Sequence, residues 1–266
     1  MANITQYFRL AQEFIRFRCA AKSAAGFGIH SPFVYDFAKK VVSPCKHITT
    51  INEIEWFRNW QIDTPIKLSP SSFGAGSKYQ KKPEKLAKVI RRSSVSKKTG
   101  ALLYRLAKWS NATNILELGT SVGVSTMYLA SSNPKANIVT LEGDQRRAKV
   151  AQNSFDVFDL QNIKVIEGDF ELGLSKAKEI LPNVDLVFFD GNHKAEPTLR
   201  YFKQCSKIVH ENTVFVFDDI RWSREMYNAW TVIANHQNVS LSIDLFSMGV
   251  VFFRKGIKKQ HIKINF

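Results

Sequence analysis

Cysteine is scarce in this chain of 266 residues. Cys19, Cys45 and Cys205 are odd in number and show no metal-ligand spacing, which fits a reducing compartment and sets a cytoplasmic expectation. No apolar run reaches 18 residues. The apolar-rich stretch 14–25 is broken by Arg16, Arg18 and Lys22, and nothing resembles a signal peptide, so no membrane association is expected. The Gly-x-Gly-x-x-Gly dinucleotide fingerprint is missing, which disfavours NAD and FAD, and no Gly-Lys-Ser/Thr is placed to form a P-loop. Acidic residues are few at the N-terminal end: residues 1–111 carry 20 Lys/Arg against 6 Asp/Glu, whereas 112–266 carry 18 against 17. The net charge of +15 therefore belongs almost wholly to the first part of the chain.

Apolar material is plentiful. A hydrophobic content of 44% with 20 Phe can bury a sizeable core. The length exceeds the common ~100–150-residue domain, so one core domain plus an N-terminal addition is expected, divided as 1–96 and 97–266.

Residues 114–126, Asn-Ile-Leu-Glu-Leu-Gly-Thr-Ser-Val-Gly-Val-Ser-Thr, are the most informative segment. Ile115, Leu116 and Leu118 suit a central parallel strand, and Glu117 inside that run requires hydrogen-bond partners. Gly119 and Gly123 permit a sharp turn and close backbone approach to a ligand. Thr120 and Ser121 lie within the turn. Ser125 and Thr126 fall in the first turn of the next helix, whose free N–H groups favour an anion.

Four more strands are expected at residues 137–141, 162–166, 184–189 and 213–217. Each ends in acidic or small polar residues: Glu142-Gly143-Asp144, Glu167-Gly168-Asp169-Phe170, Asp190-Gly-Asn-His193 and Asp218-Asp219. Open α/β sheets bind ligands at that carboxyl edge. Glu142 stands 23 residues after Gly119, near the ~20-residue offset at which a carboxylate meets a ribose hydroxyl. Helical patterns over 144–160 and 198–209 lie between strands, and a third over 222–236 comes after Asp219. Two further strands, 239–245 and 250–253, are joined around Met248-Gly249, and the Lys-rich tail adds little.

The Glu117-x-Gly119-x-x-x-Gly123 motif, with Ser/Thr after it and this series of strand ends, resembles class I S-adenosylmethionine (SAM) methyltransferases, in particular the catechol O-methyltransferase-like branch, over about residues 97–254. The resemblance implies an α/β fold. Its Rossmann-like, seven-stranded, mostly parallel sheet would have an antiparallel last strand, helices on both faces and here a helical N-terminal cap. It implies SAM contacts from Glu117, Gly119, Thr120, Ser121, Gly123, Ser125, Glu142, Gly143, Gly168, Asp169, Phe170 and Asp190, with Asp169 and its neighbours on the adenine. Catechol-type enzymes hold magnesium with an Asp after the fourth strand and an Asp-Asn pair after the fifth. Asp190 and Asp218 match, while Asp219 stands where Asn is expected. Three carboxylates still suit Mg²⁺ or another divalent cation. His193 occupies the position of the family's Lys base, and its ordinary pKa of about 6.5 suits proton abstraction near neutrality. Lys194 is the adjacent alternative. No Asn/Asp-Pro-Pro-Tyr comes after the fourth strand, which favours O- over N-transfer. The aromatic residues Trp222, Tyr227 and Trp230 line an acceptor pocket or belong to the core.

The acceptor stays open. A small hydroxylated molecule is the leading reading, and RNA, notably tRNA, is the second. The basic excess peaks at Lys78, Lys81, Lys82, Lys85, Lys88, Arg91, Arg92, Lys97 and Lys98, where Lys81, Lys85, Lys88 and Arg92 have helical spacing. That run is either a solvated face or a phosphate-binding one. A SAM- or nucleic-acid-binding protein without catalysis is the third reading. Ser31 and Pro32 are placed to cap and begin a helix after Gly28. The Gly/Ser-rich stretch 69–78 is an active-site loop or a plain linker. Residues 4–19 and 47–60 read as helices capping the binding edge, and 93–96 as a segment over the cofactor. Oligomeric state is not legible.

Overall fold

The computed structural model describes residues 4–43, 48–70 and 82–266. The stretch 71–78 of the Gly/Ser-rich loop, with Lys78, Lys81, Cys45 and His47, lies outside the described residues.

Five helices precede the main sheet: α1 (Ile4–Ala20), α2 (Pro32–Phe37), α3 (Thr49–Asp63), α4 (Leu86–Ser93) and α5 (Lys97–Trp109). The second runs on into a π-helical turn, Ala38–Val42. Ser31 caps α2 by accepting from the Val34 N–H, with Pro32 at its first position, as the sequence predicts. A two-stranded ribbon of β1 (Lys67–Leu68) and β2 (Glu84–Lys85) lies between α3 and α4.

The alternating part then runs β3 (Asn114–Leu118), α6 (Val124–Ser132), β4 (Asn137–Glu142), α7 (Gln145–Val157), β5 (Ile163–Glu167), α8 (Phe170–Ile180), β6 (Val184–Phe189), α9 (Ala195–Cys205) and β7 (Val209–Phe217). The chain ends with α10 (Arg224–Ala234), β8 (Leu241–Asp244), β9 (Gly249–Phe252) and β10 (Gln260–Lys263). Strand order is β10-β8-β9-β7-β6-β3-β4-β5. Within this sheet β9 alone runs antiparallel to its neighbours, β7 and β8.

The sheet has eight strands, not seven. The Lys-rich tail supplies the extra one, pairing parallel with β8. Its side chains alternate between half-buried and exposed, so it lacks the continuous apolar run by which buried parallel strands are recognised.

From β3 the chain moves outward to β4 and β5, then returns to the other side through β6 and β7. The reversal falls between β3 and β6, and ligands enter open α/β sheets at such a switch point. Both faces are covered. One core cluster joins sheet residues such as Ile115, Leu186 and Phe188 to α5, α6 and α7; the other joins Leu116, Val187 and Phe217 to α8, α9 and α10. Each fully buried Phe or Leu contributes roughly 1.5–3 kcal/mol.

The N-terminal helices share the first of these cores: Val34, Phe37, Ile54 and Ile90 pack continuously with it. Tyr128 of α6 donates to Glu55, and Gln61 donates to Ser154 of α7. The cap therefore covers mainly a face of the domain, and reaches the binding edge at only a few points.

The expected basic helical face does not assemble as spaced. Lys85 sits in β2, before the helix begins, so of that face α4 carries Lys88 and Arg92. Arg92 pairs with Glu84 at 3.1 Å, and Lys97 donates to Asn52.

Candidate active site

Glu117 is fully buried in the central strand and is given the partners its position demands. Thr126 and Thr140 donate to its Oε2 at 2.5 and 2.7 Å, and Thr120 hydrogen-bonds to Thr140 in turn. Burial holds the Glu117 carboxyl above its usual range, against the hydrogen bonds from Ser125, Thr126 and Thr140. Among the described residues its Oε1 is buried with no hydrogen-bond partner. Thr120 and Ser125, expected on the cofactor, are both buried, and the Thr120 hydroxyl turns inward to Thr140.

Gly119 and Gly123 both have positive φ, at +111° and +89°. The close approach they allow is to the protein itself. A Cβ on Gly119 would meet the backbone carbonyl of Asp190 at 2.8 Å, and one on Gly123 would meet the Phe155 ring. Ser121 is left-handed as well, and its N–H donates to Glu142 Oε2 at 2.6 Å while Asp144 N–H donates to Oε1. Each Glu142 oxygen keeps a second lone pair for a ribose hydroxyl. Burial raises this carboxyl too, against those backbone bonds.

After β5, Gly168 has φ +116° and open space where a side chain would lie, which suits a flat ring. Asp169 is exposed and caps α8, accepting from the Glu171 and Leu172 N–H groups. Phe170 instead turns into the core: it packs near Tyr201, and a Cβ on Gly191 would run into its ring.

Asp190, Asp218 and Asp219 converge at the ends of β6 and β7. Burial first, then the charges of Asp218, Glu117, Asp219 and Glu142, hold Asp190 well above the ordinary carboxylate range. Burial and Asp219 push Asp218 up to about 7. Burial raises Asp219 as well, and His193 partly offsets that. His193 sits between them, Nε2 at 4.0 Å from Asp190 and Nδ1 at 3.7 Å from Asp219. Lys194 is exposed at the start of α9. Among the described residues, no group of three or more His, Cys, Asp or Glu stands arranged to hold a metal ion.

Three further side chains border the site; the sequence points to Ser93, through its 93–96 segment, and to Trp222, but not to the contacts of Arg146. Ser93, from the cap, hydrogen-bonds to Ser121 at 2.7 Å. Arg146 binds Asp144 and the Ser69 carbonyl, tying the first helix turn after β4 to the cap. Trp222, 59% exposed, lies with its ring 5.9 Å from that of His193. Trp230, by contrast, is core, packed beside Phe217 and over Gly249.

Residues 116–220 match the family model described as a methyltransferase domain. A catechol O-methyltransferase of Niastella koreensis is 33% identical over 136 residues, 48% of this chain and 58% of that protein. The Mycobacterium tuberculosis catechol O-methyltransferase is 31% identical over 140 residues, 50% of this chain and 60% of that protein. The match thus spans less than two thirds of the length of these relatives. The structure of an O-methyltransferase from Bacillus cereus in complex with SAH superposes with a TM-score of 0.56 at 22% identity, over 83% of this chain and 97% of that one. Fold and motif together define a class I SAM methyltransferase domain. Within that class the chain is similar to the two catechol O-methyltransferases over about half of its length.

Proposed function

We propose that the chain transfers a methyl group from SAM to a hydroxyl of a small acceptor, catechols and other phenols being the first class to test. The observation that carries this is the meeting of Asp190, Asp218, Asp219 and His193 beside the Gly119 turn, at the sheet's switch point. Curated relatives named catechol O-methyltransferases support the acceptor class.

SAM supplies an electrophilic methyl on a sulfonium. In this reading the Glu142 carboxylate holds its ribose and the open backbone at Gly168 faces its adenine. The transfer breaks a C–S bond and forms a C–O bond, and the hydroxyl proton goes to the His193 imidazole. Asp190, Asp218 and Asp219 would hold a divalent cation, which lowers the pKa of a bound hydroxyl. The three carboxylates match such an ion in chemistry, by their hard oxygens and by the mutual repulsion that raises them, and would have to draw together around it.

The test is a labelled-SAM transfer screen against catechols, other phenols and total RNA, with Mg²⁺ and with chelator. Label on phenolic oxygen, lost with chelator and in Asp190→Ala, is the expected outcome. Label in RNA alone, SAM binding without transfer, or full activity in Asp190→Ala overturns the assignment.

A further inference from the structure

We propose that the cavity between the loop after α1 and strand β10 is an oxyanion site that takes a phosphate group. It measures about 360 Å³ and lies among Lys22, Gly28, His30, Ser31, His261 and Lys263. Among the described residues, no carboxylate side chain lines it. The site is independent of the methyl-transfer reading.

The backbone builds the arrangement. Lys22 N–H donates to the Lys263 carbonyl at 2.8 Å, and Asn265 N–H donates to the Lys22 carbonyl at 2.9 Å. These bonds pair Lys22 with Ile264 at the end of β10, one position beyond Lys263, and so fix the backbone of both lysines at the cavity. The Lys22 ammonium folds over Gly28, 3.4 Å from where a Cβ on that glycine would lie. Among the described residues, the side-chain nitrogens of Lys22, His30 and Lys263 have no protein partner. His261 Nδ1 shares a hydrogen bond with the Ser242 hydroxyl at 2.7 Å; when the hydroxyl donates, Nε2 carries the proton and is a donor. Two ammonium groups beside one cavity without an acid repel one another, and a doubly charged anion relieves that repulsion. The surroundings reinforce the field: residues 254–266 contain five Lys/Arg and no Asp or Glu. Phosphate matches the donors in charge and number, and a phosphomonoester or an RNA backbone could present it.

Pyrophosphate, a nucleoside 5′-monophosphate and a single-stranded RNA are titrated into the full chain by calorimetry, beside Lys22→Gln/Lys263→Gln and a control, Lys203→Gln/Lys207→Gln, on exposed lysines elsewhere. Binding is expected to weaken about tenfold or more in the first variant, and to hold in the control. SAM binding and thermal midpoint should be unchanged in both. His261→Gln, expected to weaken binding severalfold, serves as the second variant if the double one fails to fold. RNA that competes with pyrophosphate identifies the polymer as the source; a monophosphate that binds more tightly than RNA identifies the small ester. Absence of saturation up to about 10 mM, or equal weakening in the control, overturns the proposal.

Discussion

Gly119 and Asp190 are packed backbone to backbone, so closely that a methyl group on the first would stand 2.8 Å from the carbonyl oxygen of the second. The two residues end β3 and β6, the strands on either side of the sheet's switch point. The glycine turn and the carboxylate loop are thereby set against each other through their backbones.

Gly119→Ala should consequently lose both stability and transfer. The substitution meets a φ of +111° and a backbone wall, and strain of this kind costs about 1–3 kcal/mol. A lowered thermal midpoint together with loss of labelled-SAM transfer is the expected result; an unaltered protein would show that the packing is not what positions Asp190.

Asp218 makes the stability depend on pH. Its folded pKa of about 7 lies above the unfolded value near 3.8, so the folded state binds the proton more tightly. The stability this provides is present below the unfolded value and is lost as pH rises through 7. In chelator, Asp218→Asn should stabilise the protein at pH 8, by on the order of 2 kcal/mol, and change it little at pH 3.5. Melting curves at the two pH values decide the point.

Among the described residues, Arg221 is a cation enclosed on several sides. It forms a two-pronged pair with Asp244, donates to the Phe246 carbonyl and lies over the rings of Phe17, Tyr227 and Phe246. Arg221→Ala leaves Asp244 buried without its charge partner, and the expected loss is about 3–5 kcal/mol in urea unfolding. A loss under about 1 kcal/mol would mean that water replaces the guanidinium.

His193→Ala should lower kcat by about 10²–10⁴-fold if its imidazole takes the acceptor proton. SAM affinity, measured by calorimetry, should stay within about twofold, since the residue faces the acceptor side. Equal loss of SAM binding would place His193 in the cofactor site instead.

The buried strands could be read in advance because β3, β6 and the last five residues of β7 are near-continuous apolar runs, which parallel strands covered on both faces require; the polar first half of β7 was not read as strand. Strand β10 could not, since an edge strand with one wet side spells no such run. The acids at the strand ends were legible for the same reason: a carboxylate that terminates an apolar run has few other uses. The inward turn of the Thr120 hydroxyl and of the Phe170 ring was not legible, because sequence position sets where a residue leaves the backbone, not which way its side chain turns.

By itself the sequence determined the class of fold, the order of its strands from β3 to β9, and the row of acids at the carboxyl edge, since periodicity and turn chemistry are local. Tertiary structure alone decided that Gly119 abuts Asp190, that Ser93 reaches Ser121, and that the lysine-rich tail returns to stand beside Lys22. Those contacts join residues far apart in the chain, and packing, not local propensity, selects them.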